Sequence, residues 1–262
     1  MIKNKKVYAV VLAAGSGKRM GTTEKKQFLE LHGKPLFYYA FEAFSMHPSV
    51  DGVVMVTAEE DIPYMRELLL AALEESDRDG AYMMDQMKGF VAGGRERSDS
   101  VQNALRYLQT GLRNTGSAEE SIVLIHDGAR PFIGKDIIDN VLSEAAECAV
   151  IPAVPVKDTV RVVNREGEAT ATPERASLYA VQTPQGFPLS MLCRAYAGLD
   201  AEKEAGREIP PLTDDAMLVE RYLKGKLKVV EGSYRNIKIT TEEDLLLAEL
   251  YLRDSGSSEK IA

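Results

Sequence analysis

The chain has 262 residues, 45% of them hydrophobic, enough for one large domain or one domain with a small appendage. Its 32 Lys and Arg face 40 Asp and Glu, a net charge of −8. That balance disfavours a general nucleic-acid binder and leaves any anion site to a local gathering of cations and backbone N–H groups.

Residues 7–14, VYAVVLAA, read as a first core strand; the run is too short for a secretory leader and passes directly into glycines and cations. Residues 35–47 form a helical pattern with Leu36, Phe37, Ala40, Phe41 and Phe44 on one face. A strand over 52–57, a helix over 60–75, a short strand over 89–94 and a helix over 100–112 follow. Segment 76–88 is long for a connection and reads as a surface elaboration. Next come a strand over 121–127, a helix over 135–147 and a strand over 148–156 that is apolar on both faces. This alternation predicts a mostly parallel, three-layer α/β sheet in a single domain, 1–262.

At 157–177 the pattern changes to two short alternating strands around NREGE, a projecting β-hairpin arm. An isolated hairpin is marginal in water, so a second subunit is its natural support. Beyond it lie a strand over 178–184, helices over 188–198 and 214–223, strands over 226–232 and 236–240, and a last helix over 241–252. Thr241 and Asp244 give that helix a capping-box pattern. The two cysteines, Cys148 and Cys193, have neither CxxC nor metal-ligand spacing, as expected of a reduced cytoplasmic setting. No stretch approaches the ~18 apolar residues of a membrane span.

The first strand opens into GSGKRMG, with Gly15, Gly17 and Gly21 beside Lys18, Arg19, Lys25 and Lys26. The third glycine falls one position late for a dinucleotide fingerprint, the acid expected at the end of the second strand is missing, and no Walker A spacing exists. The loop reads as a cradle of backbone N–H groups for a polyphosphate, or as a tight turn with solvated lysines. In HDGARPF, Asp127 is placed to ligate a metal, accept from hydroxyls or cap the helix near Lys135, and Arg130 to fork onto a phosphate. In GGRERSDS, Ser98 or Asp99 reads as a helix N-cap. Lys238, between Ile237 and Ile239, reads as an edge lysine or a cation aimed into a cleft. His32, His47 and His126 fit no nucleophile or metal pattern. Transfer between two phosphates needs no histidine base, because a phosphate monoester is mostly dianionic near neutral pH.

Eight segments, AAGSGKRMG, KKQFLEL, GGRERSDSV, HDGARPF, PVKDT, TPQGF, TDDA and NIKIT, stand in the order found in the 2-C-methyl-D-erythritol 4-phosphate cytidylyltransferase family, which the chain resembles from about residue 7 to 252. The resemblance implies a Rossmann-like nucleotidyltransferase fold, a homodimer with arm-shared active sites, Mg²⁺, and synthesis of 4-diphosphocytidyl-2-C-methyl-D-erythritol and pyrophosphate from CTP. A sister activity on ribitol 5-phosphate shares most of these motifs. The resemblance assigns Arg19 and Lys26 to the α-phosphate, and Arg175 and Lys238 to the incoming sugar phosphate. It assigns Ala13, Ala14, Gly15, Gly17, Gly94 and Ser100 to the nucleotide, and Asp127 to the ribose and metal region. Arg130, Thr159, Thr183 and Thr213 fall on the substrate side, with Thr159 and Arg175 on the arm. Lys18 and Lys25 gain nothing from the match. Arg95 stands where some members of the family carry an acid that helps hold the base.

Overall fold

The computed structural model describes residues 5–15, 25–75, 77–112 and 121–258. In chain order these form β1 (Val7–Leu12), β2 (Glu30–Leu31), β3 (Lys34–Pro35), α1 (Leu36–Ser45), β4 (Gly52–Thr57), α2 (Ile62–Glu74), α3 (Asp77–Gln86), β5 (Met87–Ala92), α4 (Arg97–Leu112), β6 (Ile122–Asp127) and α5 (Lys135–Leu142). They continue with β7 (Ala149–Pro155), β8 (Val162–Val163), β9 (Ala169–Ala171), β10 (Tyr179–Val181), β11 (Gln185–Pro188), α6 (Leu189–Glu204), α7 (Ala216–Leu223), β12 (Leu227–Glu231) and α8 (Glu242–Ser258).

The main sheet runs β5-β4-β1-β6-β11-β7, with β10 and β12 also paired to β7. β1 lies parallel to both β4 and β6, and β4 to β5, so their C-terminal ends open on one edge. The strand order reverses at β1, where open α/β sheets form their ligand crevice. Side chains alternate across the sheet with the period of two that strands impose. Val7, Ala9 and Val11 pack with Phe37, Phe41 and Phe44 of α1 on one face. Tyr8 and Val10 pack with Val101, Leu105 and Leu108 of α4 on the other. The three-layer α/β expectation therefore holds.

Several boundaries, two strands and one helix differ from expectation. β11 is additional: only four residues long, it runs antiparallel to β6 and β7. Gly186 lets it pass beneath α5, since a Cβ there would stand 2.5 Å from Val141 Cγ1. The strand expected over 178–184 is limited to Tyr179–Val181. The helix over 135–147 ends at Leu142 and continues only as turns. Segment 76–88, expected as a surface elaboration, contains the helix α3; most of its described residues are exposed, but Met83 is 1% exposed in the core.

Residues 236–240 form no strand, because their N–H groups are spent elsewhere. The Asn236 and Ile237 N–H groups close turns on Ser233 and Arg235, and the Ile239 N–H donates to the Ala129 carbonyl at 2.9 Å. The Thr240 N–H donates to Asp244 at 2.7 Å. The expected capping box is present, with the Thr241 N–H 2.9 Å from the Asp244 carboxylate and the Asp244 N–H 3.3 Å from the Thr241 hydroxyl. His32 and Gly33, at φ 52° and 84°, make the left-handed turn of the β2–β3 hairpin.

The arm is the expected hairpin of β8 and β9. Asn164 closes its turn by accepting the Glu168 N–H at 2.9 Å on its side chain. Arm residues are almost all exposed, including Val162 and Val163.

Candidate active site

The C-terminal edge of the parallel strands brings some of the expected residues together in two groups. Ala13, Ala14 and Gly15 leave β1, and Gly93 and Gly94 leave β5 beside them. The Ala13 N–H donates to the Val56 carbonyl at 2.7 Å, and the Gly93 N–H to the Thr57 carbonyl at 2.7 Å. Gly93 has no room for a side chain, since a Cβ would sit 2.6 Å from the Ala14 Cβ and 3.0 Å from Ser100 Oγ. Ser100 is buried in the first turns of α4; its hydroxyl accepts the Gly94 N–H at 3.0 Å and donates to the Glu96 carbonyl at 3.2 Å. Glu96, not Ser98 or Asp99, precedes the helix, and Asp99 reaches back to accept the Glu96 N–H at 3.2 Å. Arg95 is exposed in this loop.

Lys26 begins a 3₁₀ turn anchored by buried Gln27 and Phe28, the latter packed edge-on against Phe37 and Tyr64. Lys25 is tied to Asp61 at 2.5 Å and Glu60 at 3.4 Å. Gly17, Lys18, Arg19 and Gly21 lie outside the described residues.

The second group centres on Asp127 at the end of β6. Lys238 Nζ lies 2.8 Å from its Oδ2, Arg130 Nε 3.8 Å from Oδ2 and Arg97 Nε 3.7 Å from Oδ1. Burial alone would push this carboxyl up, but Lys238, Arg97 and Arg130 together overcome it and hold it well below the usual carboxylate range. Asp127 therefore does not cap α5, whose N-cap is Gly134. Burial pushes the Arg130 guanidinium down, with Asp127 opposing. Arg97 also pairs with Asp215 at 2.7 Å, a carboxylate with no exposed side chain that accepts the Tyr196 hydroxyl at 2.6 Å. Burial opposes the Arg97 charge, but Asp215 and Asp127 raise its pKa above the ordinary value.

Thr183 is buried, and its hydroxyl accepts the Asp127 N–H at 3.1 Å. Burial pushes the neighbouring His126 down to about 4, so the imidazole is neutral. Among the described residues, no hydrogen bond or ion pair links Thr159, Arg175 or Thr213 to Asp127. Arg175 is exposed and donates to the Lys157 carbonyl at 3.1 Å. Thr159 is exposed on the arm, and the exposed Thr213 hydroxyl sits 3.1 Å from Met217 Sδ. Sequence reasoning passed over Arg97, Asp215 and Asn236, although all three lie inside the quoted motifs. Their only signal was charge or polarity at positions that turn out to be enclosed.

The sequence profile described as IspD, 2-C-methyl-D-erythritol 4-phosphate cytidylyltransferase, matches residues 7–254. The chain belongs to this family. It is 42% identical over 250 residues to the 2-C-methyl-D-erythritol 4-phosphate cytidylyltransferase of Geobacter metallireducens, covering 95% of this chain and 98% of that one. It is also 42% identical to the enzyme of that name from Geotalea uraniireducens, over 96% of this chain and 99% of that one. The crystal structure of 4-diphosphocytidyl-2C-methyl-D-erythritol synthase from Anaerococcus prevotii superposes with a TM-score of 0.75 at 30% identity, covering 96% and 98% of the two chains. The cytidylyltransferase structure from Thermus thermophilus gives 0.69 at 28% identity, over 95% and 99%. These family relations make the chain a nucleotidyltransferase.

Among the described residues, no three His, Cys, Asp or Glu side chains gather as a metal cage. Among the described residues, the ion-pair partner of Asp127 Oδ1 is Arg97 Nε at 3.7 Å, beyond hydrogen-bond distance. A single carboxylate suits magnesium arriving on a nucleotide's phosphates. Among the described residues, no helix is long and apolar enough to cross a membrane.

Proposed function

We propose that the chain joins CTP to 2-C-methyl-D-erythritol 4-phosphate, giving 4-diphosphocytidyl-2-C-methyl-D-erythritol and pyrophosphate. The observation that carries this reading is the Asp127 cluster, with Lys238, Arg97 and Arg130 converging at the sheet edge beside the Ala13–Gly94 loops. An oxygen of the sugar phosphate attacks the α-phosphorus in line. The new P–O bond forms as the bond to the β-phosphate oxygen breaks, and pyrophosphate leaves with the electron pair. No general base is required. The chain's task is to hold two anions together and spread the developing charge.

Ala13, Ala14, Gly15, Gly17 and Gly94 present main chain to the nucleotide, with Ser100 fixing Gly94. Arg19 and Lys26 serve the α-phosphate. Asp127 serves the ribose region and would supply a carboxylate to magnesium, which would neutralise triphosphate charge. Arg130, Lys238 and Thr213 serve the sugar phosphate of the same subunit. Arg175 and Thr159 reach a partner's site from the arm. Exposed Val160, Val162, Val163, Tyr179 and Val181 at the arm and its base support a homodimer that covers them. The two free thiols agree with a cytoplasmic setting.

Pyrophosphate release is to be measured with each of the four nucleoside triphosphates and with methylerythritol or ribitol phosphate as acceptor. CTP with methylerythritol phosphate is expected to dominate. Preference for ribitol phosphate, or for another nucleotide, refutes the assignment.

A further inference from the structure

The segment carrying Asp127 and Arg130 lies about a hundred residues from the one carrying Lys238, yet four hydrogen bonds, two of them through Thr183, join the two in a closed circuit. His126 Nε2 lies 3.1 Å from the Arg130 carbonyl, and the Arg130 guanidinium donates to the Asn236 carbonyl at 2.7 Å. Asn236 Nδ2 donates to the Thr183 carbonyl at 2.9 Å, and Thr183 Oγ1 lies 3.0 Å from His126 Nδ1. His126 and Asn236 are fully buried and Thr183 is 6% exposed.

Each proton in this circuit has one place to be. A carbonyl only accepts, so His126 Nε2 carries the imidazole proton. The Asp127 N–H can only donate, and it donates to Thr183 Oγ1 at 3.1 Å. The hydroxyl proton is thereby directed to the bare Nδ1 of His126. Thr183 has none left to give a ligand.

We propose that His126, Thr183 and Asn236 close a hydrogen-bonded ring with Arg130 that positions Asp127 and Lys238 for reaction, and that Thr183 acts through Asp127 rather than by donating to substrate. The ring grips Asp127 at its own N–H. It grips Lys238 two residues away, through both the side chain and the carbonyl of Asn236. Opening it strands buried polar groups, and a hydrogen-bonded network of this kind responds as a unit. The kinetic part of the inference rests on the proposed function; the geometric part does not.

The chain has three histidines, so spectra of protein carrying ¹⁵N-histidine are simple. The His126 signal is assigned through its contact with the Phe44 ring, whose centroid lies 5.2 Å away. The expected result is a protonated Nε2 and a bare Nδ1, with the Nδ1 signal moved by Thr183→Val while His32 and His47 stay in place. In turnover, Thr183→Val and His126→Asn each lower kcat/KM for the sugar phosphate by about tenfold to a hundredfold, the scale set by small displacements of reacting groups. The double variant loses little more than the worse single one, because a ring opened once is already open. Thr183→Ser, which keeps the hydroxyl, recovers most of the loss. A proton on Nδ1, an Nδ1 signal indifferent to Thr183→Val, or losses that multiply would overturn the ring. Should Thr183→Val fail to fold, the protonation pattern of the unmodified protein still decides. If the unmodified protein releases no pyrophosphate from CTP and methylerythritol phosphate, the functional reading falls and the spectra alone judge the ring.

Discussion

Replacing Arg97 by methionine removes the guanidinium from between two carboxylates while keeping much of its apolar stem. Its partner Asp215 lies 2.7 Å away with no side-chain exposure, whereas Arg97 itself is 27% exposed. Breaking a buried pair from one side costs about 3–5 kcal/mol, because the remaining charge stays desolvated. The Tyr196 hydroxyl still donates to Asp215 at 2.6 Å, which places the expected loss near the lower end, about 3 kcal/mol. Urea unfolding at neutral pH reads this loss directly. Adding Asp215→Asn to Arg97→Met removes the charge and restores most of the stability. A deficit below about 1 kcal/mol, the scale of an exposed ion pair, would refute the reasoning.

Lys26→Ala is expected to lower kcat by about 10²–10³-fold, as for loss of one preorganised charge, with an unchanged unfolding midpoint; near-normal turnover removes Lys26 from the reaction. Gly94→Ala places a Cβ 2.2 Å from Asp99 Cβ, so the loop must shift. Its expected effect is a rise in KM for CTP of about tenfold, the lower end of overpacking costs, and an unaltered KM counts against main-chain reading at Gly94. Burial lowers the His47 pKa despite Asp139, so the unfolded chain takes up its proton first as acid is added. Stability should then decline as the pH falls below about 6.5, and His47→Asn should flatten part of that slope in urea titrations. Mixing inactive Arg175→Ala with inactive Lys26→Ala under subunit exchange should restore some turnover, and no recovery would argue against an arm-shared site.

The parallel layers were legible because β1, β4 and β6 are apolar on both faces and the intervening helices have one apolar stripe each. What escaped was local structure set by distant partners. Gln185–Pro188 contains glycine and proline in four residues, and only the neighbouring β6 and β7 edges make it a strand. Residues 236–240 have strand-like alternation, but Ala129 and Asp244 capture the N–H groups that a ladder would need. Asp77–Gln86 is as amphipathic as the helices that were expected but more polar on average, so it did not announce a packed helix, and Met83 becomes a core residue only against the neighbouring helices.

The site shows the same division, and with it how an acidic chain could hold the proposed anion site. The motifs named Asp127, Arg130 and Lys238 one at a time; nothing in their spacing says that three cations and two carboxylates form one cluster. Each cation has a carboxylate nearby that limits its freedom, so much of the reorganisation is complete before substrate arrives. The cations are nevertheless unequal. Arg97 is fixed to Asp215, which is closed to solvent and has no other cation within ion-pair distance among the described residues. Exchanging that bond for a phosphate would strand a buried charge. Lys238 is 40% exposed, and its partner Asp127 keeps Arg97 and Arg130 nearby when it leaves. Under the proposed function, Lys238 is therefore the cation expected to transfer from carboxylate to phosphate at low cost, while Arg97 remains to hold Asp127 in its charged form.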